Sequence, residues 1–381
     1  MDSPYHRELQ AAIAVAEKAA RISRDVLAAA SQAAGAREVP SDAALKVEGE
    51  GSFGLVKDDL SPVTVADFAI QALLTRTLHN AFPDDGFVGE ESADELRENP
   101  KLLARISAIF SSSFSAASNS SPLFHDPTDI CDAIDSCATL TPSAAGRFWV
   151  FDPIDGTKTF IRGQQYAINI ALIEDGRQVL SVVACPLLSA TTTAAPVNDD
   201  SVDSTGRGAL LYGVRGHGAY VRPLFAAPDE AQSRRIPRHA DDAVGPEDLR
   251  SVTCWAALDS GVDVVHKGVA ERLNIAFPGC DLLGWVPRWV VMALGAANTT
   301  VWVYKRRDRY AKIWDHAGAM LLFEEVGGLI TDVHGKNIDL TVGRKFSVNF
   351  GFVAAPSKLH GLVLRAVQDT LKIAGKEELL Q

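Results

Sequence analysis

Residues 149–157 read Trp-Val-Phe-Asp-Pro-Ile-Asp-Gly-Thr. Two carboxylates, Asp152 and Asp155, stand at the end of an apolar run, and Gly156-Thr157 follows them. Pro153 has no N–H to donate, so the run is expected to end as a strand at Asp152. Carboxylates at a strand tip suit a hard cation and a phosphate held together, with Gly156 giving close backbone access and free helix N–H groups behind it. Asp-Pro and Asp-Gly are also ordinary turn formers, so the nonapeptide alone reads equally as turn or site.

Two more carboxylate clusters bear on that choice. Val88-Gly89-Glu90-Glu91-Ser92 follows Phe82-Pro83-Asp84-Asp85-Gly86, which predicts a turn and a short strand ending at Glu90. Ile313-Trp314-Asp315-His316-Ala317-Gly318 opens an apolar helix that stops at Gly327-Gly328. Asp315 then lies at or near a helix N-cap, where its side chain either caps the backbone or faces a ligand. Each cluster alone has a structural reading. Together Glu90, Asp152, Asp155 and Asp315 supply the carboxylates for two or three Mg²⁺ ions, which bind through a few carboxylates, water and substrate phosphate.

These three clusters, in this order, resemble the signature of the lithium-sensitive, Mg²⁺-dependent phosphomonoesterases related to inositol monophosphatase. That family pairs a Gly-Glu-Glu turn with an Asp-Pro-Ile-Asp-Gly-Thr junction and a late Trp-Asp-x-Ala-Gly. Within it, the chain is most similar to the fungal and plant 3′(2′),5′-bisphosphate nucleotidase branch. Ser61-Pro62-Val63-Thr64-Val65-Ala66-Asp67, the stretch Lys158 to Ala167, Lys312-Ile313-Trp314-Asp315-His316-Ala317 and a long insert at 93–146 carry that likeness. The resemblance implies a five-layer αβαβα sandwich of the inositol monophosphatase and fructose-1,6-bisphosphatase type, an α/β (α+β layered) fold.

The resemblance also implies roles. Glu90, Asp152 and Asp155 bind a first Mg²⁺ together with the Ile154 carbonyl, and Asp315 completes a second site. Asp67, with the Thr157 hydroxyl, polarises a metal-held water for attack on phosphorus. Gly156, Thr157, Arg288 and Asp315 hold the phosphorylated substrate. Asp67 has a second reading, since Thr64-x-x-Asp67 can simply open a helix as a capping-type pair. Glu91 reads as a supporting neighbour of the metal site rather than a ligand.

The substrate pocket departs from the family pattern. Residues 255–266 read Trp-Ala-Ala-Leu-Asp-Ser-Gly-Val-Asp-Val-Val-His, without the expected Ser-His-Ser-Ser-His. Trp285-x-x-Arg288 stands where Ser-x-x-Lys is expected; Arg288 retains a cation with a fork suited to phosphate. His266 reads either as a substrate contact or as a structural histidine beside an apolar run. Lys305-Arg306-Arg307-Asp308-Arg309 reads as a solvated loop or as a patch that steers a doubly phosphorylated ligand. The leading expectation is removal of the 3′-phosphate of adenosine 3′,5′-bisphosphate, extending to its sulfated form. With it come inhibition by Li⁺ and roles in sulfate assimilation and salt tolerance. The alternatives are an inositol (poly)phosphate phosphatase of the same fold and a protein that only binds bisphosphate nucleotide.

The elements that must position these residues follow from periodicity. Residues 5–31 carry Leu9, Ile13, Ala16, Ala20 and Leu27 at helical spacing, and 67–81 predict a second amphipathic helix. A strand is expected at 86–89, a helix at 93–107 and a serine-rich loop from Phe110 to Ser121. Strands follow at 147–152, 167–174 and 178–185, the last two hinged at Glu174-Asp175-Gly176-Arg177. A further hairpin is expected at 208–221, then a polar loop over 226–248. Helices at 262–273, 285–297 and 315–326, strands at 299–304 and 328–333, and a helix from Ser357 complete the pattern. With 381 residues the chain exceeds the size at which one core divides. Two subdomains, 1–200 with the main metal site and 201–381 with the substrate pocket, are expected. A net charge of −11 argues against a nucleic-acid backbone as partner, and an acidic protein that binds an anionic substrate must bring its own metal. Five cysteines without metal-site spacing read as thiols in a reducing compartment. No stretch reads as a signal peptide or membrane span, so a cytoplasmic protein is expected; the sequence leaves its oligomeric state unknown and is compatible with a monomer.

Overall fold

The computed structural model describes residues 3–35, 62–114, 122–194, 196–227, 232–238, 245–255 and 261–381. Two long helices, α1 (His6–Gly35) and α2 (Pro62–Ala81), form the first layer. A seven-stranded sheet lies beneath them in the order β1 (Gly86–Val88), β2 (Arg147–Asp155), β3 (Ala167–Glu174), β4 (Arg177–Cys185), β5 (Ala209–Val214), β6 (Gly218–Pro223), β7 (Arg234–Arg235). Only β1 and β2 pair in parallel; the other neighbours are antiparallel.

Strand alternation sends side chains into two cores. Trp149 and Phe151 of β2, with Ile168, Ile170 and Leu172 of β3, join Leu9, Ala16, Leu73 and Leu74 of α1 and α2. Phe148 and Val150, with Ala171 and Ile173, point the other way. Residues on both faces are apolar because helices cover both. On the second face lie α8 (Trp285–Leu294) and α9 (Ala317–Glu325). Behind them come a three-stranded antiparallel sheet of β10 (Thr300–Trp302), β12 (Phe352–Pro356) and β11 (Gly328–Thr331), and then α7 (Asp263–Leu273) and α10 (Ser357–Ile373). This is the expected αβαβα sandwich. A two-stranded parallel pair, β8 (Val252–Thr253) and β9 (Cys280–Asp281), sits beside the small sheet. The expected subdomain limit at residue 200 falls between β4 and β5, which are hydrogen-bonded neighbours of one sheet.

Several local expectations need correction. The helix expected over 93–107 is two helices, α3 (Asp94–Glu98) and α4 (Pro100–Phe114), because Pro100 forces Asn99 out of the helical region. The loop expected from Phe110 is still helix through Phe114, where alanine-free Ser repeats do not stop α4; residues 115–121 lie outside the described residues. A further helix, α5 (Pro127–Asp135), carries a capping box between Asp126 and Asp129. Residues 352–356 form the central strand of the small sheet, although Ala354-Ala355-Pro356 has no strand signal of its own. All five cysteines are buried thiols without disulfides. Among the described residues, no helix is long and apolar enough to cross a membrane.

Candidate active site

The end of β2 departs from the expected stop at Asp152. Pro153 does not end the strand; β2 continues to Asp155, and a bulge absorbs the missing amide. Asp152 opposes Asn169 and Asp155 opposes Ala167, so β2 carries one residue more than β3 across this interval. In a regular strand, side chains three apart point to opposite faces. The extra residue turns both carboxylates to one side, which is the local effect of a bulge.

Asp315 meets them from the other end of the chain. It closes a single 3₁₀ turn, Ile313–Asp315, ahead of α9, and makes no side-chain cap to that helix. The cap alternative therefore fails, and the side chain faces Asp152 and Asp155. One carboxylate oxygen from each of Asp152, Asp155 and Asp315 lies within 4.8 Å of the others. The turn is anchored by Asn169, whose Nδ2 donates to the Trp314 carbonyl at 2.7 Å.

Asp67 is buried inside α2, which begins at Pro62 rather than at the expected Asp67, so it is in the second turn and is not a cap. One turn on, Gln71 donates Nε2 to the Glu91 carbonyl at 2.8 Å and accepts Glu91 N–H at 2.9 Å. The same helix face thus presents Asp67 and holds the 89–91 loop that carries Glu90. Lys312 Nζ lies 4.0 Å from a Glu90 oxygen.

The charges crowd one another. Burial raises Asp152 well above the usual carboxylate range, and Glu90, Asp155, Asp315 and Asp67 push in the same direction. Asp315 is raised by burial and then by Glu90 and Asp155. Asp155 is raised to about 6, mainly by burial, against the lowering effect of the Val286 and Trp285 amides. Its Oδ2 accepts Val286 N–H at 2.5 Å, at the start of α8. Asp152 Oδ1 is buried with no hydrogen-bond partner among the described residues. Four mutually repelling carboxylates around an unsatisfied buried oxygen are the donor set of a hard divalent cation.

Gly156 adopts φ +96°, and a Cβ there would lie 2.6 Å from Thr159 Oγ1. Only glycine allows the chain to turn directly from Asp155 into α6 (Thr157–Ile161). The Thr157 hydroxyl donates to the Ile154 carbonyl at 3.5 Å, so the two groups expected to serve water and metal lie side by side.

The expected substrate residues are placed differently. Arg288 is 2% exposed, between the rings of Trp285 and Trp302, at 4.2 and 4.8 Å. Its Nε and Nη2 donate to the carbonyls of Leu282 and Leu283, each at 2.8 Å. It is not the open phosphate fork that its type suggested, because the 282–283 backbone occupies two of its three nitrogens. Trp285 packs against Trp289, Trp302, His316 and Phe352. His266 Nε2 accepts Val303 N–H at 2.9 Å, its Nδ1 is buried without a hydrogen-bond partner among the described residues, and burial lowers its pKa to about 3. Of residues 255–266, 256–260 lie outside the described residues.

Asp199 escaped the sequence reading. It accepts Leu283 N–H and is raised to about 6 by burial. Asn169 and Gln71 also escaped it, since a lone amide in an apolar run carries no sign of which carbonyl it will meet. Lys312 stood in the third motif, but nothing there paired it with Glu90.

Known proteins resemble this chain in sequence and in fold. The model of the inositol monophosphatase family matches residues 8–372. A 3′(2′),5′-bisphosphate nucleotidase of Emericella nidulans is 34% identical over 345 residues, covering 86% of this chain and 94% of that protein. One from Oryza sativa is 31% identical over 322 residues, covering 83% and 86%. Among solved structures, inositol monophosphatase II of Staphylococcus aureus superposes with a TM-score of 0.55 at 15% identity, covering 98% of each chain. An inositol monophosphatase of Zymomonas mobilis gives 0.53 at 19% identity, covering 96% of this chain and 99% of that one.

Proposed function

The chain belongs to the inositol monophosphatase family, and from that premise we propose that it is a Mg²⁺-dependent 3′(2′),5′-bisphosphate nucleotidase. Its reaction is hydrolysis of the 3′-phosphate of adenosine 3′,5′-bisphosphate to AMP and phosphate. The observation that carries the reading is the bulge in β2, which brings Asp152 and Asp155 to within 4.8 Å of Asp315 beside Asp67 and Glu90. The nucleotide rather than an inositol phosphate is supported by the names of relatives at 31–34% identity over most of the chain.

Glu90, Asp152, Asp155 and Asp315, with the Ile154 carbonyl, would hold two or three Mg²⁺ ions. When bound, Mg²⁺ lowers the pKa of an attacking water and neutralises charge on the phosphoryl group. Asp67 would accept the proton of the attacking water, and the Thr157 hydroxyl would orient it. The Gly156 and Thr157 amides, at the start of α6, would donate to the phosphoryl oxygens, where fixed donors favour the charge that builds in line. Burial of Asp67 on α2 keeps its carboxylate still and out of bulk solvent. Inhibition by Li⁺, roles in sulfate assimilation and salt tolerance, a cytoplasmic location and the division near residue 200 belong to the same proposal.

Arg288 favours a second reading of the substrate. Two of its five N–H donors are taken by the Leu282 and Leu283 carbonyls and its Nη1 is buried, so the guanidinium is poorly placed to grip a second phosphate. Of the inositol (poly)phosphates, a monophosphate needs no second grip. Phosphate release from adenosine 3′,5′-bisphosphate and from inositol 1-phosphate, with Mg²⁺ and with or without millimolar Li⁺, separates the two. Fast, Li⁺-sensitive release from the nucleotide is expected. Release mainly from the inositol phosphate would retain the site and overturn the substrate.

A further inference from the structure

Glu90 and Asp315 reach the acidic cluster from opposite ends of the chain. Neither sits in an α-helix or a strand: Glu90 follows β1, and Asp315 closes one 3₁₀ turn. One side chain touches the supports of both. Arg344 donates Nη1 to the Cys137 carbonyl at 2.8 Å and Nη2 to the carbonyl of Gly89, the residue before Glu90. Gly89 N–H donates to the same Cys137 carbonyl at 3.4 Å.

Its backbone holds the other ligand. The Arg344 carbonyl accepts Ile313 N–H at 3.1 Å, and Phe346 N–H donates to the Ala311 carbonyl at 3.0 Å. Lys312 and Lys345 form a β-bridge between these contacts. The segment 344–346 is therefore bound along the residues that lead into Asp315. The guanidinium lies 4.9 Å from the ring centre of Trp314, Asp315's immediate neighbour. A planar guanidinium reaches two carbonyls at a fixed angle, which a lysine ammonium on a flexible stem does not.

We propose that Arg344 is a positioning residue of the metal centre, a brace that sets the distance between the Glu90 loop and the Asp315 turn. This rests on reading the acidic cluster as a cation site. The brace is not itself a ligand and acts through the Gly89 and Cys137 carbonyls, the backbone at 311–313 and the Trp314 ring. Ligand supports of this kind govern metal affinity about 10- to 100-fold.

The sign of the effect separates bracing from charge. A cation beside a cation site opposes metal binding, so removing it for charge alone tightens binding. Removing the brace weakens it. The experiment is Mn²⁺ titration of the full chain without substrate, following free Mn²⁺ by electron paramagnetic resonance, on wild type, Arg344→Ala and Arg344→Lys. Thermal unfolding of each is recorded alongside. The Mn²⁺ dissociation constant is expected to rise about tenfold or more in both variants, at temperatures where both remain folded. Unchanged or tighter binding in Arg344→Ala, or wild-type affinity in Arg344→Lys, overturns the brace. Should Arg344→Ala not fold, Arg344→Lys decides alone. Failure of the wild type to bind Mn²⁺ would overturn the metal reading together with the brace.

Discussion

Asp152 and Asp155 are costly residues to bury, and their protonation behaviour follows from that cost. Asp155 titrates at about 6 in the folded chain, above its unfolded value, so the native state holds more protons between the two. Metal-free stability is then greatest at low pH on this account and falls as pH rises toward about 6. Cation binding needs the ionised forms, so the stabilisation by Mg²⁺ should grow over the same interval. Thermal unfolding with chelator and with Mg²⁺, at about pH 5 and about pH 7.5, checks this; an equal Mg²⁺ shift at both would contradict it. Asp155→Asn should remove most metal-dependent turnover yet unfold cooperatively, because the amide oxygen can still accept Val286 N–H. Asp67→Asn should lower kcat by roughly 10²-fold, the scale of a general base, with Mn²⁺ affinity changed far less. A steady-state comparison paired with Mn²⁺ titration tests both roles, and near wild-type rates in either variant would refute them.

At the scale of elements, the site is a junction between α2, the bulged end of β2, and the turn before α9. The closeness of α9 to β3 is set by Gly318. A Cβ there would lie 2.1 Å from Asn169 Oδ1 and 2.9 Å from the Ile170 carbonyl. Asn169 is also the residue that anchors the Trp314 carbonyl. Gly318→Ala should therefore destabilise by about 1–3 kcal/mol, the range for overpacking a core, and weaken Mn²⁺ binding as well. Calorimetric unfolding together with metal titration reads both effects; a stable variant with intact metal affinity would show that the contact is relaxed without cost. Much of this junction was legible in advance. Glu90, Asp152, Asp155 and Asp315 stood at predicted element ends. The bulge was not legible, since Pro153 signals only that an amide is missing and not that the strand resumes beyond it.

Across the whole molecule, the two departures from the family's substrate motif form one structure. Trp285 and Trp302 enclose the Arg288 guanidinium, and Trp289, His316 and Phe352 pack around Trp285. This aromatic block joins α8 to the small sheet and stands behind Asp315. Restoring the family pair with Trp285→Ser and Arg288→Lys should not improve nucleotide turnover. It should cost about 3 kcal/mol or more, as deleting a large packed aromatic does. Denaturant unfolding and nucleotide kinetics on the double variant test this, and a faster, equally stable enzyme would contradict it.

The sequence by itself determined most of the long elements, the identity of the acidic residues and the family they mark, because strand ends, turns and caps are written locally; α5 and the strand at 352–356 were not among them. It also made a hard cation the expectation for the cluster, since grouped carboxylates suit one wherever the fold brings them together. Only the tertiary structure decided which carboxylates meet, that Arg288 donates to the 282–283 backbone and His266 accepts from Val303, and that Gln71, Asn169 and Arg344 bond the backbone beside the acidic residues. Those contacts join residues distant in sequence, and no local pattern encodes a partner that packing alone brings near.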